Sequence, residues 1–268
     1  MRFFVYGIIL GIANVIPGVS GGTMMVILNI YDPIILAFSK ERIRESVPFL
    51  LLIGGGTLAG ILLFSNGITF LIQNYEMATM YCFMGLVVGS IPLLWKKARY
   101  EKLKKKNLFP FFIALLFMLG LLLVEMMAGP GQGAFSPERL SYPALAGWLF
   151  LSAIVSTIGM ILPGISGSFV MLMLGAYFIT MEAISAFNFS ILIPVGAGIL
   201  LGGFFGVKIV GALIKDHPQA LYMGILGLMI GSVFLLYPGF EASLEGAVAL
   251  GFLVLGALVS WIFGKKGK

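Results

Sequence analysis

Apolar stretches dominate the chain and fall at about 47–71, 77–95, 108–128, 188–214, 219–237 and 244–263, with short polar segments between most of them. As helices, each is long enough to cross the ~30 Å hydrocarbon core of a bilayer. Two more apolar stretches, 3–39 and 144–181, are interrupted near their middles by "NVIPGVSGGT" (14–23) and "MILPGISGSF" (160–169). A simple crossing helix has no use for a proline and several glycines at mid-depth, so the breaks need a reason of their own.

Composition makes the bilayer the solvent. Of 268 residues, 60% are hydrophobic and 10% charged, whereas a soluble domain is about a quarter charged. The fold class is an all-α polytopic membrane protein. The single cysteine, Cys82, lies in an apolar stretch and allows no intrachain disulfide; the single histidine, His217, excludes a histidine-rich metal site. No metal, cofactor or catalytic residue is expected. The segment after Arg2 looks like a secretory leader, but it lacks a small-x-small cleavage site and has a later copy. It is expected to stay in the mature protein.

Charge sets the topology. Seven of the 17 Lys and Arg fall in "KKARYEKLKKK" (96–106), three between Lys40 and Arg44, and three in the tail "GKKGK". Basic loops stay cytoplasmic, which places "QNYE" and the linker 129–143 outside. Split at their breaks, 3–39 and 144–181 give arms of about 14–16 residues, or ~21–24 Å, too short to cross fully. Read as re-entrant hairpins, they leave both termini cytoplasmic and 15 of the 17 cations at that face; Arg139 is outside and Lys208 within a span. The net charge of +6 follows from this asymmetry and points to anionic inner-leaflet lipid, with no nucleic-acid partner.

The chain also repeats itself. Residues 16–32 align without a gap on 162–178, and 53–95 on 195–237, where Gly54, Gly56, Gly60, Gly85, Gly89 and Ser90 meet Gly196, Gly198, Gly202, Gly227, Gly231 and Ser232. Each half, 1–128 and 144–268, reads as a hairpin plus three crossings. Three crossings is an odd number, so the second half must be upside down relative to the first. Inverted repeats are an architecture of secondary transporters, which bind substrate at the midplane between the halves. The glycines at spacing four read as close helix contacts.

At each break a proline, Pro17 or Pro163, ends one helix arm. Gly18, Gly21 and Gly22, or Gly164 and Gly167, allow a sharp turn and expose backbone amides, while Ser20 and Ser166 supply caps. Free amides at a helix start favour phosphate or carboxylate without needing a lysine. Two such tips meeting at mid-membrane would form an anion site of neutral side chains; otherwise the serines and glycines only close a tight turn.

"GIANVIPGVSGGT…LNIYD" and "ILPGISGSF…MLGAY" resemble the paired signatures of the bacterial polyprenyl-phosphate transporter family, the PopT-type undecaprenyl phosphate translocases. The likeness covers nearly the whole chain. It implies a protein of the bacterial cytoplasmic membrane that returns undecaprenyl phosphate from the outer to the inner leaflet, for reuse in peptidoglycan and other envelope polymers. By motif position it implies substrate-binding roles for Asn14, Pro17, Gly18, Ser20, Gly21, Gly22 and Thr23, and for Pro163, Gly164, Ser166, Gly167 and Ser168. Asn29 stands where the pattern leads us to expect glycine.

Lys208 either snorkels to the interface or relays phosphate on the inward path, and Glu125 and Glu182 read as interfacial. A small-anion transporter or channel could use the same helix ends. A lipid phosphatase fits less well, since no Arg, His, Asp or Glu falls within either break. Partners are the polyprenyl phosphate lipid and the bilayer; oligomeric state is not legible.

Overall fold

The computed structural model describes residues 1–15, 20–38, 43–99, 105–128, 137 and 140–266. Pro17 and Gly18 of the first break, loop residues 39–42 and 100–104, most of the expected linker (129–136, 138–139 with Arg139), residues 267–268 and the Glu125 side chain lie outside what is described.

The described chain is helical: α1 (Arg2–Val15), α2 (Gly21–Ile27), α3 (Tyr31–Ala37), α4 (Ile43–Asn74), α5 (Glu76–Ala98), α6 (Phe109–Ala128), α7 (Tyr142–Ile161), α8 (Gly167–Met173), α9 (Tyr177–Ser185), α10 (Phe189–Asp216), α11 (Pro218–Leu235) and α12 (Leu244–Lys266). Six helical segments are long and apolar enough to cross a membrane: Arg44–Phe64, Glu76–Ala98, Tyr142–Ile161, Phe189–Asp216, Pro218–Leu235 and Leu244–Gly264. Their outer faces carry bare leucines such as Leu62 and Leu200, while Tyr31, Leu94 and Met229 are fully enclosed. Large apolar side chains facing outward around a well-filled interior are what lipid, not water, would solvate. This is a multi-pass membrane protein.

Glycines fix how neighbouring helices run. A methyl group on Gly56 or Gly60 of α4 would collide with the carbonyls of Phe4 and Ile8 on α1, so these helices touch backbone to backbone and advance together. Gly198 and Gly202 of α10 meet the carbonyls of Phe150 and Ile154 on α7 in the same way. Parallel α1 and α4 start from one end, so α2 and α3 must bring the chain back to it. The α8–α9 segment does the same between α7 and α10. Gly85 and Gly89 of α5 meet Leu253 and Ala257 of α12, and Gly227 and Gly231 of α11 meet Phe111 and Met118 of α6, again in parallel.

These pairings orient every long helix. α5 ends where α6 begins, α6 runs alongside α11, and α11 begins where α10 ends. α4 and α10 therefore start from opposite ends of the molecule. One end holds Lys97 at the close of α5 and Lys215 at the close of α10; we call it the basic end, and its opposite the far end.

The broken segments 3–39 and 144–181 depart from the expected arms of about 14–16 residues. α1 has 14 residues but α7 has 20, long enough to cross alone. Each returning arm is broken a second time, and α8 and α9 are bent by 111°. The cause is local. After α2 and α8 the chain turns left-handed at Asn29 (φ 55°) and Gly175 (φ 66°), and the next amide bonds back five residues: Ile30 N–H to Met25 O at 2.8 Å, Ala176 N–H to Met171 O at 2.9 Å. This is a Schellman stop. Asn29 does the job of the expected glycine, because asparagine also tolerates this conformation.

Candidate functional site

The two breaks meet. A Cβ on Gly22 would lie 3.1 Å from Pro163 N and 3.2 Å from Ile161 O, and the Gly164 N–H donates to Thr23 Oγ1 at 3.0 Å. Gly164 itself has φ +96°, and a Cβ there would come within 2.8 Å of the Leu228 carbonyl carbon. Leu228 lies near the middle of α11, so the junction sits at mid-depth.

Ser20 and Ser166 have nearly the same backbone (φ −92°, ψ 134° and φ −90°, ψ 125°) but different employment. Ser20 Oγ accepts the Gly22 N–H at 3.1 Å and is buried. Ser166 makes no side-chain cap; its Oγ lies 2.9 Å from Ser168 Oγ. One serine is consumed by the fold, and the other is left facing outward.

What it faces is a cavity of about 510 Å³. Its polar lining comes from Asn14 at the end of α1, Ser166 and Ser168, Glu76 in the first turn of α5, Tyr177 of α9, and Tyr237 beyond α11. Met80, Leu121, Phe169, Leu172 and Leu235 are among its apolar walls. Glu76 and Tyr237 mark the far end as the cavity's location. Among the described residues lining it there is no Lys, Arg or His.

The structure thus divides the motif residues. Asn14, Gly164, Ser166 and Ser168 line the cavity; Ser20, Gly21, Gly22, Thr23, Pro163 and Gly167 are buried behind it. Lys208 is apart from it, exposed on α10 with its ammonium 5.9 Å from the Phe204 ring centroid. Glu182 is exposed on α9, and Cys82 is a free, half-buried thiol on α5.

Sequence reasoning missed Glu76, Tyr177 and Tyr237, whose places depend on distant helices. It also missed a polar cluster at the basic end. Lys97 Nζ lies 2.6 Å from Asp32 Oδ2, and the Tyr222 hydroxyl donates to Asp32 Oδ1 at 2.5 Å. Nearby, the side chains of Asn107 and Gln219 are hydrogen-bonded to each other. Asp32 carried a usable signal, an acid closing the first copy of the repeat where the second copy has Phe178.

The family model described as undecaprenyl phosphate translocase-like matches residues 10–251. A polyprenyl-phosphate transporter of Staphylococcus aureus is 31% identical over 269 residues, covering 97% of this chain and 94% of its own. A polyprenyl-phosphate transporter of Vibrio cholerae is 26% identical over 254 residues, covering 88% of this chain and 77% of its own. No solved structure matches. The family suggested by the two broken motifs is therefore the right one: the chain belongs to the undecaprenyl phosphate translocase-like family.

Proposed function

We propose that this protein moves polyprenyl phosphate lipid across the bacterial cytoplasmic membrane, returning undecaprenyl phosphate from the outer to the inner leaflet for reuse in envelope polymers. The observation that carries the reading is the cavity itself. Its floor is the junction of the two breaks, with the Ser166 and Ser168 hydroxyls, the Asn14 amide and the Gly164 turn. Its walls are largely apolar. An amphiphile with a phosphate at one end and a hydrocarbon at the other matches both surfaces. A bare charge would cost many kcal/mol in hydrocarbon, so a lipid phosphate needs such a floor to cross.

In this reading the halves 1–128 and 144–268 are an inverted repeat, each a re-entrant hairpin followed by three crossings. Its support is the parallel pairing of α1 with α4 and of α7 with α10, together with the opposite starting ends of α4 and α10. The basic end is cytoplasmic by its lysines. Asn14, Gly164, Ser166 and Ser168 meet the phosphate. Ser20, Gly21, Gly22, Thr23, Pro163 and Gly167 hold the floor in shape, and Pro17 and Gly18 join them by motif position. Lys208 anchors α10 at the headgroup level and relays nothing.

The relatives are named as transporters, and the described lining offers no arginine or histidine to grip and cleave a phosphoester. The test is flipping of labelled undecaprenyl phosphate by purified protein in proteoliposomes, with released phosphate measured alongside. Flipping without release supports the proposal. Phosphate release would replace it with the phosphatase reading, and uptake of inorganic phosphate without lipid flipping would replace it with the small-anion reading.

A further inference from the structure

Several positions that line the far-end cavity have buried equivalents in the other half. Alignment of the halves pairs Ser166, Phe169, Leu172 and Tyr177 with Ser20, Thr23, Val26 and Tyr31. The register that sets Gly85 on Leu253 and Gly227 on Phe111 pairs Met80 with Tyr222 and Met118 with Ser260. The first member of every pair lines the far-end cavity. Every second member is buried, between 0% and 6% exposed. A cavity stands open at the far end, and the equivalents of these six lining residues are packed inside the protein.

Two observations say that the closed counterpart is built to open. Among the described residues, three buried side-chain atoms lack a hydrogen-bond partner, and two of them are the hydroxyls of Tyr31 and Ser260. Both occupy positions whose partners, Tyr177 and Met118, line the open cavity. A buried hydroxyl left unpaired costs stability that water or a phosphate oxygen would restore. The second observation is the closure. Asp32 of α3 holds Lys97 of α5 at 2.6 Å and accepts from Tyr222 of α11 at 2.5 Å, with the Lys97 ammonium 5.3 Å from the Tyr222 ring centroid. One carboxylate ties three helices together. The equivalent positions at the far end are Phe178, Gly239 and Met80. They offer no carboxylate to tie three helices, and the one link there is the Tyr81 hydroxyl donating to the Gly239 carbonyl at 3.1 Å.

We infer that Ser20, Thr23, Tyr31, Tyr222 and Ser260 form a second cavity for the phosphate end of a lipid, opening toward the basic end and shut here by a gate of Asp32, Lys97 and Tyr222. The inference rests on the proposed transport function. When the Asp32–Lys97 pair parts, α3 is released from α5, and the Lys97 ammonium is left facing the path by which an anionic headgroup would leave. Asp32 is the positioning residue, since it holds both other members of the gate.

The test uses full-length protein in proteoliposomes, with Cys82→Ala as background and one reporter cysteine at a time. Val26→Cys reports the closed cavity and Leu172→Cys the open one. Labelling is done by a water-soluble maleimide, first without lipid substrate. Loss of a hydrogen-bonded charge pair shifts an equilibrium by about tenfold or more. Asp32→Asn should therefore speed labelling at Val26→Cys by about that factor and slow it at Leu172→Cys. The exchange Asp32→Lys with Lys97→Asp should restore the original ratio. Faster labelling at both reporters would mean simple loosening, and unchanged labelling at both would mean no gate; either result overturns the inference. Flipping of undecaprenyl phosphate by the unmodified protein is measured separately. Reciprocal labelling without flipping would leave the gate standing and sink the substrate, whereas flipping with unchanged labelling would sink the gate alone.

Discussion

The Ser166–Ser168 pair makes a sharp prediction about redundancy. The two oxygens lie 2.9 Å apart, so one hydroxyl proton is engaged between them and one is left to reach a phosphate in the cavity. Deleting either serine releases the proton of the other. The pair then still offers one donor, and Ser166→Ala or Ser168→Ala alone should change binding of undecaprenyl phosphate only a few-fold. Deleting both removes the pair's last donor. A hydrogen bond to a charged group contributes ~1.5–3 kcal/mol, so the double variant should bind about ten- to a hundredfold more weakly. Ser20→Ala provides the contrast, since that hydroxyl is buried on the Gly22 N–H. With the far-end cavity open, its loss should appear as about 0.5–2 kcal/mol of stability.

The assay is equilibrium binding of the lipid to purified protein in nanodiscs, with thermal unfolding of each variant followed in parallel. Two results would refute the reasoning. If each single variant lost the full factor and the double lost their product, the hydroxyls would act independently and the shared proton would be wrong. If the double variant bound like the original at unchanged Tm, the phosphate would not sit on these serines at all.

Three further expectations follow from the geometry. Gly164→Ala combines a left-handed φ with a Cβ driven against the α11 backbone; it should lower Tm and abolish flipping, and normal flipping would remove Gly164 from the floor of the site. Glu76→Gln removes a carboxylate from the cavity proposed to receive the lipid phosphate; at about 0.5–1 kcal/mol for a pair in a wet cavity, binding should tighten roughly two- to fivefold, and weaker binding would show that Glu76 assists the substrate. Lys208→Met should leave flipping unchanged in proteoliposomes, and a loss of flipping at equal protein level would restore the relay role.

Much of this architecture is visible in the sequence because the membrane leaves few options. Five of the six long apolar helical segments fall where apolar length places a span, whereas the sixth, Tyr142–Ile161, was expected as a hairpin arm; the glycines at spacing four mark where α4 meets α1 and where α10 meets α7. The breaks announce themselves as prolines where no proline belongs. Three things were hidden. The second break in each returning arm hangs on the left-handed turn at Asn29 and Gly175, and asparagine reads as a polar residue before it reads as a helix stop. The different use of Ser20 and Ser166 cannot be read from two nearly identical motifs, since it depends on which end of the molecule is open. Glu76 reads as the polar edge of a short loop, and only the meeting of α5, α9 and the chain beyond α11 brings it into the cavity.

The absence of cations from the described cavity lining has a consequence for how a lipid phosphate could be carried. Two unit charges about 4 Å apart attract by ~4 kcal/mol at an effective dielectric of 20, close to a thousandfold in affinity. A lysine on the floor would therefore hold the phosphate far longer than a hydroxyl does, and turnover would suffer. Neutral donors bind tightly enough to lift the headgroup out of water and loosely enough to release it. They also leave the charge of the substrate uncancelled. Carrying each negative charge of the phosphate into a cell interior that is 100 mV negative costs ~2.3 kcal/mol, which an excess of about fiftyfold per charge in the outer leaflet would offset. A carrier of this design runs inward only where the outer leaflet is kept rich in the lipid, or where a cation travels with it.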